Sequence, residues 1–153
     1  MSRAERAKAY FLEGYACSQA VALAFADVCG MEEDAVKKIM LPFGGGMGRL
    51  RMTCGAVSGM AAVIGMVFAD AKNSPENKKK VYAIVQELCG KFKAQCGSLI
   101  CAELLAGMKV PVEIGGSAEE RTPKYYQKRA CGDMVALATQ ILEEYLVKEG
   151  IFN

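Results

Sequence analysis

Histidine and tryptophan are both absent from this 153-residue sequence. Without histidine, the chain cannot supply Ser–His or Cys–His nucleophilic pairs, histidine metal ligands or an axial haem histidine. Any catalysis or cofactor binding must therefore use cysteine, carboxylate, lysine, arginine, serine or tyrosine side chains, or backbone groups.

The sequence also lacks a strong charge imbalance and a convincing membrane segment. Its net charge is only +2 at pH 7, so we expect no nucleic-acid partner. The longest uncharged stretch, residues 52–69, contains Thr53, Ser58 and three glycines, and we interpret it as a buried central helix rather than a membrane span. No apolar signal core follows the charged residues 1–8, which leads us to expect a cytoplasmic location.

Seven cysteines are present, but no two of them are spaced Cys-x-x-Cys. That spacing is needed for thioredoxin-type redox pairs, zinc knuckles and the Cys-x-x-Cys-His haem signature, so the sequence excludes all three. An odd number of cysteines in a chain without an export signal also argues against a disulfide framework. A free cysteine is commonly a small core residue, so core packing is the default interpretation for each of the seven.

Helical periodicity dominates the sequence, and no segment alternates for long enough to indicate a strand. We predict an all-α protein in which residues 1–153 form a single-domain bundle of about five to seven helices around a Gly/Ala-rich central helix. The predicted helices cover residues 3–13, 17–29, 32–41, 54–70, 75–95, 99–106 and 124–149, the last interrupted near residue 131.

Three cysteines, Cys17, Cys54 and Cys131, fall at or just inside a predicted helix start. The unpaired N–H groups and partial positive charge of a helix N-terminus favour thiolate over thiol. Because a thiolate is both a nucleophile and a metal ligand, these sulfurs are better placed for chemistry than a cysteine in the middle of a helix. Cys54 would be the leading nucleophile if the chemistry is thiol redox.

Glycines surround Cys54 on both sides. Gly55 and Gly59 are four residues apart on one helical face, where small residues allow a second helix or a cofactor to approach the backbone. The glycine-rich loop at residues 44–48 is not a dinucleotide motif, because Arg51 stands where the third glycine would be. We interpret the loop as wrapping around a site near Cys54, with Arg49 and Arg51 supplying positive charge; a plain flexible loop is the alternative.

These motifs resemble the C_GCAxxG_C_C family, small proteins assigned a redox activity and named after their cysteine and glycine pattern. The resemblance covers most of the chain. It consists of Cys17 in Ala-Cys-Ser-Gln-Ala-Val, the hexapeptide Cys54-Gly55-Ala-Val-Ser-Gly59, Cys101 in Cys-Ala-Glu-Leu-Leu, and Cys131 at the start of the last helix. The hexapeptide reads Cys-Gly-Ala where the family label has Gly-Cys-Ala.

The resemblance implies that Cys17, Cys54, Cys101 and Cys131 act as redox residues or as ligands of an iron–sulfur cluster. A similar domain occurs in split-Soret cytochromes together with such a cluster, although this chain lacks their haem attachment signature. Four thiolates around a [2Fe–2S] core carry a total charge of about −2. That charge would be stabilised by the helix starts and by the glycine loop with Gly55. The cations that would add to this effect are Arg49, Arg51 or Arg129. An exposed cluster would be lost during purification in air.

Three functions follow, in descending order of support. The first is a metal- or cluster-binding protein that transfers electrons to an unidentified redox partner. The second is metal-free thiol–disulfide redox chemistry, in which Cys17 or Cys131 resolves Cys54. The third is a partner-binding helical module in which the cysteines are core residues. The sequence leaves open whether the chain is an oxidoreductase or a carrier, whether it forms a homodimer, and what Cys29, Cys89 and Cys96 do.

Overall fold

The computed structural model describes residues 1–152 and confirms the all-α class. Helices make up 68% of it, and one isolated bridge, between Thr53 and Ile100, is the only extended pairing in this range. Nine α-helices are found over the described residues, apart from two short turns, Leu41–Phe43 and Gly44–Met47. They are α1 Arg3–Leu12, α2 Cys17–Leu23, α3 Ala26–Cys29, α4 Glu33–Met40, α5 Gly55–Phe68, α6 Pro75–Cys96, α7 Cys101–Gly107, α8 Pro123–Lys128 and α9 Cys131–Lys148.

Side-chain caps fix the starts of several of these helices. The Ser2 hydroxyl accepts a hydrogen bond from the Glu5 backbone N–H, and the Glu5 carboxylate accepts one from the Ser2 N–H, which forms a capping box. Ser74 caps α6 with proline at the first helical position, as the sequence predicts. These caps satisfy N–H groups that have no partner within the helix.

The predicted helix at residues 17–29 is divided into α2 and α3 at Phe25, whose φ of −122° and ψ of 13° leave the helical range. The break exposes the carbonyl of Ala24, which accepts a 2.6 Å hydrogen bond from Nη1 of Arg3 on α1. The Arg3 guanidinium also lies 5.1 Å from the centre of the Phe25 ring. A tertiary contact from α1 therefore overrides the local helical preference.

The last predicted helix is likewise divided, into α8 and α9, so that nine helices replace the predicted five to seven. Arg129 adopts an extended conformation, with φ −118° and ψ 124°. Its side chain forms an ion pair with Glu119, and the next backbone N–H, of Ala130, points at the sulfur of Met108, 3.3 Å away. These contacts fix the break immediately before Cys131, close to the predicted interruption.

The core is built around α5, the predicted central helix, which packs closely against α2. A Cβ atom added to Gly59 would lie 2.7 Å from the carbonyl oxygen of Ser18, so only glycine allows this approach. The helices α1 and α9 also pack against α2, and Ala20, Ala56 and Leu142 are fully buried. Within residues 1–152, none of the helices has the length and apolar character needed to cross a lipid bilayer.

Candidate functional site

The four cysteines of the family pattern all lie at helix starts. Cys17, Cys101 and Cys131 are the first residues of α2, α7 and α9, and Cys54 is the residue that precedes α5. The sequence predicts this position for three of them. It misses Cys101 because the predicted helix begins two residues too early, and helix boundaries are the least certain part of such predictions.

The same four cysteines line one cavity of about 290 Å³. The other three cysteines, Cys29, Cys89 and Cys96, are not among its lining residues. All seven are free thiols. The folding of four well-separated segments therefore gathers the pattern cysteines and leaves the remaining ones outside.

Buried thiols in the cavity are held in the protonated form. Burial is the main cause that raises the pKa of Cys54 well above its ordinary value, followed by the nearby charge of Cys17, whereas backbone N–H groups of Ala56 and Val57 act in the opposite direction. Burial likewise raises the pKa of Cys131 to about 12, and it also raises the pKa of Cys101. The charge of Cys17 contributes to all three shifts.

These pKa shifts correct one expectation from the sequence. Helix starts were expected to favour thiolate, and the backbone N–H groups do so at Cys54, but desolvation is the larger effect. In the absence of a bound metal, Cys54, Cys101 and Cys131 therefore favour the neutral thiol, which is a poor nucleophile. A bound metal reverses this preference because it displaces the thiol protons.

The glycine-rich loop before α5 is an ordered structure that covers the site. Its backbone turns back on itself through hydrogen bonds from the Arg51 and Met52 N–H groups to the carbonyls of Gly45 and Gly46, at 3.2 and 2.9 Å. A Cβ atom on Gly46 would lie 2.6 Å from the Cβ of Cys101, and φ there is +72°. Glycine is required at this position, which supports the loop as a wrapping segment rather than a flexible connection.

Arg51 reaches directly into the group of cysteines. Its side chain is only 6% exposed, its Nη1 atom lies 3.8 Å from the Cys101 sulfur, and its Nε–H donates a 3.0 Å hydrogen bond to the Glu113 carbonyl. No carboxylate within the described range forms an ion pair with it. A buried guanidinium without a carboxylate partner favours an anion in the cavity.

The other arginines of the cavity are held by partners. Arg49 forms an ion pair of 3.3 Å with Glu113, and Arg129 pairs with Glu119. Arg121, which sequence analysis misses, stacks over the Phe11 ring at 4.6 Å and donates to backbone carbonyls. Arg121 lies in the long loop before α8, where no sequence motif marks it as a site residue. Four arginines thus line the cavity, and two of them, Arg51 and Arg121, have no carboxylate partner within the described residues.

Gly55 brings α2 and α5 together at the site itself. A Cβ atom at this position would overlap the sulfur of Cys17 and would lie 3.2 Å from the Ser18 backbone nitrogen. Helix packing therefore accounts for both Gly55 and Gly59, and at Gly55 it also sets the position of a site cysteine.

The donor chemistry and the spacing of the thiols limit the cofactors that fit. Four thiols are soft ligands that suit iron–sulfur clusters and other thiophilic metals. Among the side chains that the structure describes, however, no three cysteines or carboxylates are placed to bind a single metal ion.

The fold and the site define a small all-helical protein with four thiols gathered in a positively charged cavity. The chain belongs to the C_GCAxxG_C_C family, described as "Putative redox-active protein (C_GCAxxG_C_C)", whose family model matches residues 15–145. The matched region includes all four cavity cysteines. No curated protein and no solved structure matches the chain.

Proposed function

We propose that the protein binds an iron–sulfur cluster, with Cys17, Cys54, Cys101 and Cys131 as ligands, and that it transfers electrons through this cluster. The observation that carries the proposal is that these four sulfurs, from four separate segments, line one cavity. The ligands of a cluster are divided between at least two irons and need not converge on one point. This property is compatible with the lack of a site for a single ion.

The charge of the cavity supports the same proposal. Four thiolates around an oxidised [2Fe–2S] core carry about −2, and two of the four lining arginines are neutralised by Glu113 and Glu119. The other two, Arg51 and Arg121, have no carboxylate partner among the described residues. An anionic cluster would therefore replace the missing counter-ions of a positively charged cavity.

Each part of the chain would have a distinct role around the cluster, which supplies one-electron transfer when bound. The helix starts direct backbone N–H groups toward the sulfurs, as at Cys54. Arg51 places a positive charge beside Cys101 and thereby favours the more negative, reduced state. Burial of Cys54 limits the access of water to one of the four ligands. We also propose a cytoplasmic location, where thiols remain reduced.

Thiol–disulfide exchange is the second candidate, because Cys17 and Cys54 are neighbours. The Cys17 sulfur lies against Gly55, the residue after Cys54, and its charge affects the pKa of Cys54. The raised pKa and burial of Cys54 weigh against it as the attacking thiolate. Cys17 is only half-buried, so it is the better candidate for attack, with Cys54 as the resolving partner.

Anaerobic reconstitution with iron and sulfide tests the first proposal. We expect visible absorption of a cluster, an electron paramagnetic resonance signal after one-electron reduction, and matching iron and sulfide contents per chain. Serine at any of positions 17, 54, 101 or 131 should reduce the iron content severely, whereas Cys89→Ser, at a half-buried cysteine outside the cavity, should retain it.

Two outcomes would contradict cluster binding. One is a colourless wild-type protein without iron after reconstitution. The other is an equal iron content in the Cys89→Ser control and in all four cavity variants. Mass-spectrometric detection of one dominant Cys17–Cys54 disulfide in iron-free protein would instead favour the exchange reaction.

A further inference from the structure

The cavity is larger than a cluster core requires. Its volume of about 290 Å³ is close to the lower limit of about 300 Å³ for pockets that bury a drug-sized ligand. A [2Fe–2S] core adds only two irons and two sulfides, because the cysteine sulfurs already form part of the wall. Space for a small molecule therefore remains beside the thiols.

The guanidinium of Arg51 has one nitrogen that forms no hydrogen bond in the part of the chain that the structure describes. Its Nε atom is bound to the Glu113 carbonyl and its Nη1 atom contacts the Cys101 sulfur, but Nη2 has no hydrogen-bond partner within residues 1–152. No side-chain nitrogen or oxygen in this range is both fully buried and unpartnered. Nη2 therefore retains some accessible surface, and Arg51 is one of the residues that line the cavity.

Much of the remaining wall is apolar. It is formed by side chains from three helices and one cap residue: Phe11 of α1, Leu104 and Leu105 of α7, Met108 directly after α7, and Met134 of α9. Such a wall favours the body of an organic molecule, whereas Arg51 favours an anionic group. Arg51 and Arg121 are the two lining arginines without a carboxylate partner among the described residues, so the cluster-free cavity can accept an anionic group.

We propose that this cavity binds a small organic monoanion, a carboxylate with a short apolar body, whose charged end lies on Arg51 beside Cys101. The protein would then act on a small molecule rather than only pass electrons to another protein. The proposal shares its cavity with the proposed cluster but does not depend on the cluster being present. Neutral molecules of the same shape are expected to bind far more weakly.

Benzoate is a suitable probe, with benzamide as its neutral counterpart and inorganic phosphate as an anion without an apolar body. Anaerobic calorimetric titrations of cluster-free and reconstituted protein should detect benzoate binding at least ten-fold tighter than that of either comparison molecule. The Arg51→Gln variant should lose at least ten-fold in affinity for benzoate.

A second variant tests the same proposal without any change to the buried Arg51, whose replacement could disturb folding. Leu41 lines the cavity and is 59% exposed, so Leu41→Glu should fold normally and place a negative charge at the cavity mouth. We expect it to weaken benzoate binding several-fold. The matched control Leu50→Glu, 46% exposed and outside the lining, should bind like wild type.

Equal binding of benzoate and benzamide would overturn the proposal, as would a Leu41→Glu variant that binds benzoate like wild type. The absence of benzoate binding to both forms of the protein would also overturn it. Failure of the cluster proposal is separately visible: benzoate would then bind to a protein that retains no iron. If only the ligand proposal fails, the protein will retain iron but will not bind benzoate.

Discussion

The Nη1 atom of Arg51 lies 3.8 Å from the sulfur of Cys101, although the backbone of Arg51 must adopt a φ of +62° to place it there. A left-handed conformation of this kind costs a non-glycine residue about 1–3 kcal/mol. The surrounding structure enforces it, since the Ala102 N–H donates to the Arg51 carbonyl at 3.1 Å. Strain of this kind is concentrated at functional sites, which supports a role for the guanidinium beyond packing.

Replacement of Arg51 should therefore change the reduction potential of the reconstituted protein. Arg51→Gln removes a positive charge that stabilises the added electron, so we expect the potential to fall by roughly 50 mV or more, and Arg51→Lys to fall less. Spectroelectrochemical titration measures both values. The exposed Arg6→Gln serves as the control. An unchanged potential in both Arg51 variants would exclude a direct effect of this charge on the cluster.

A methyl group at Gly55 should disturb the site through Cys17. Because a Cβ atom there would overlap the Cys17 sulfur, Gly55→Ala must displace either the thiol or the start of α2. We expect it to lower the free energy of unfolding by about 1–3 kcal/mol and to reduce iron retention after reconstitution. Urea denaturation and iron analysis measure the two effects.

Gly65→Ala is the matched control on the same helix. A Cβ atom at Gly65 would meet no atom within 4 Å, so the substitution should raise the free energy of unfolding by up to about 1 kcal/mol through helix propensity alone. Iron retention should not change. If both alanine variants behave alike, the close contact between Gly55 and Cys17 does not control the site.

The all-α class and most helices could be predicted because their signals are local. Periodic apolar residues and the Ser74-Pro75 start are properties of neighbouring residues, and α6 begins where they indicate. The break at Phe25 could not be predicted in this way. It depends on Arg3, which is far away in the sequence and becomes a neighbour only after α1 has packed.

The same distinction between local and long-range signals applies to the candidate site. Local glycine and cysteine patterns identify Cys54, Gly55 and the loop with Arg51, whereas Arg121 carries no local signal. The protonation of the thiols could not be predicted either. The helix-start effect is local, but the burial that outweighs it at Cys54 depends on several packed elements.

Gln19 should support Cys17 by fixing the beginning of α2. Its side-chain oxygen accepts a 2.8 Å hydrogen bond from the Ala16 N–H, and its Nε2 donates one of the same length to the Lys37 carbonyl. Gln19→Ala leaves both backbone groups without their partner, so we expect a loss of about 1–3 kcal/mol in the free energy of unfolding. Chemical denaturation should detect this loss, whereas the exposed Gln140→Ala should change stability by less than about 0.5 kcal/mol. Similar stabilities of the two variants would argue against this support for α2.

The metal-free protein should lose stability at alkaline pH because its cavity thiols keep their protons when folded. Burial raises the pKa of Cys131 from 9.0 to about 12, so between these values the unfolded chain releases a proton that the folded protein retains. The free energy of unfolding therefore falls with rising pH across this window, by up to about 1.4 kcal/mol per pH unit for one such thiol. Cys131→Ser removes this contribution.

Urea denaturation under anaerobic, reducing conditions at pH 8 and pH 10 can isolate the effect of Cys131. The stability advantage of wild type over Cys131→Ser should narrow by roughly 1 kcal/mol between the two pH values, because other groups titrate equally in both proteins and cancel. Cys29, outside the cavity, has a pKa raised to about 11 by burial, so Cys29→Ser should reduce the same pH dependence while retaining iron after reconstitution. If the advantage of wild type over Cys131→Ser stays constant from pH 8 to pH 10, Cys131 titrates as an ordinary exposed thiol, and burial does not protect its proton.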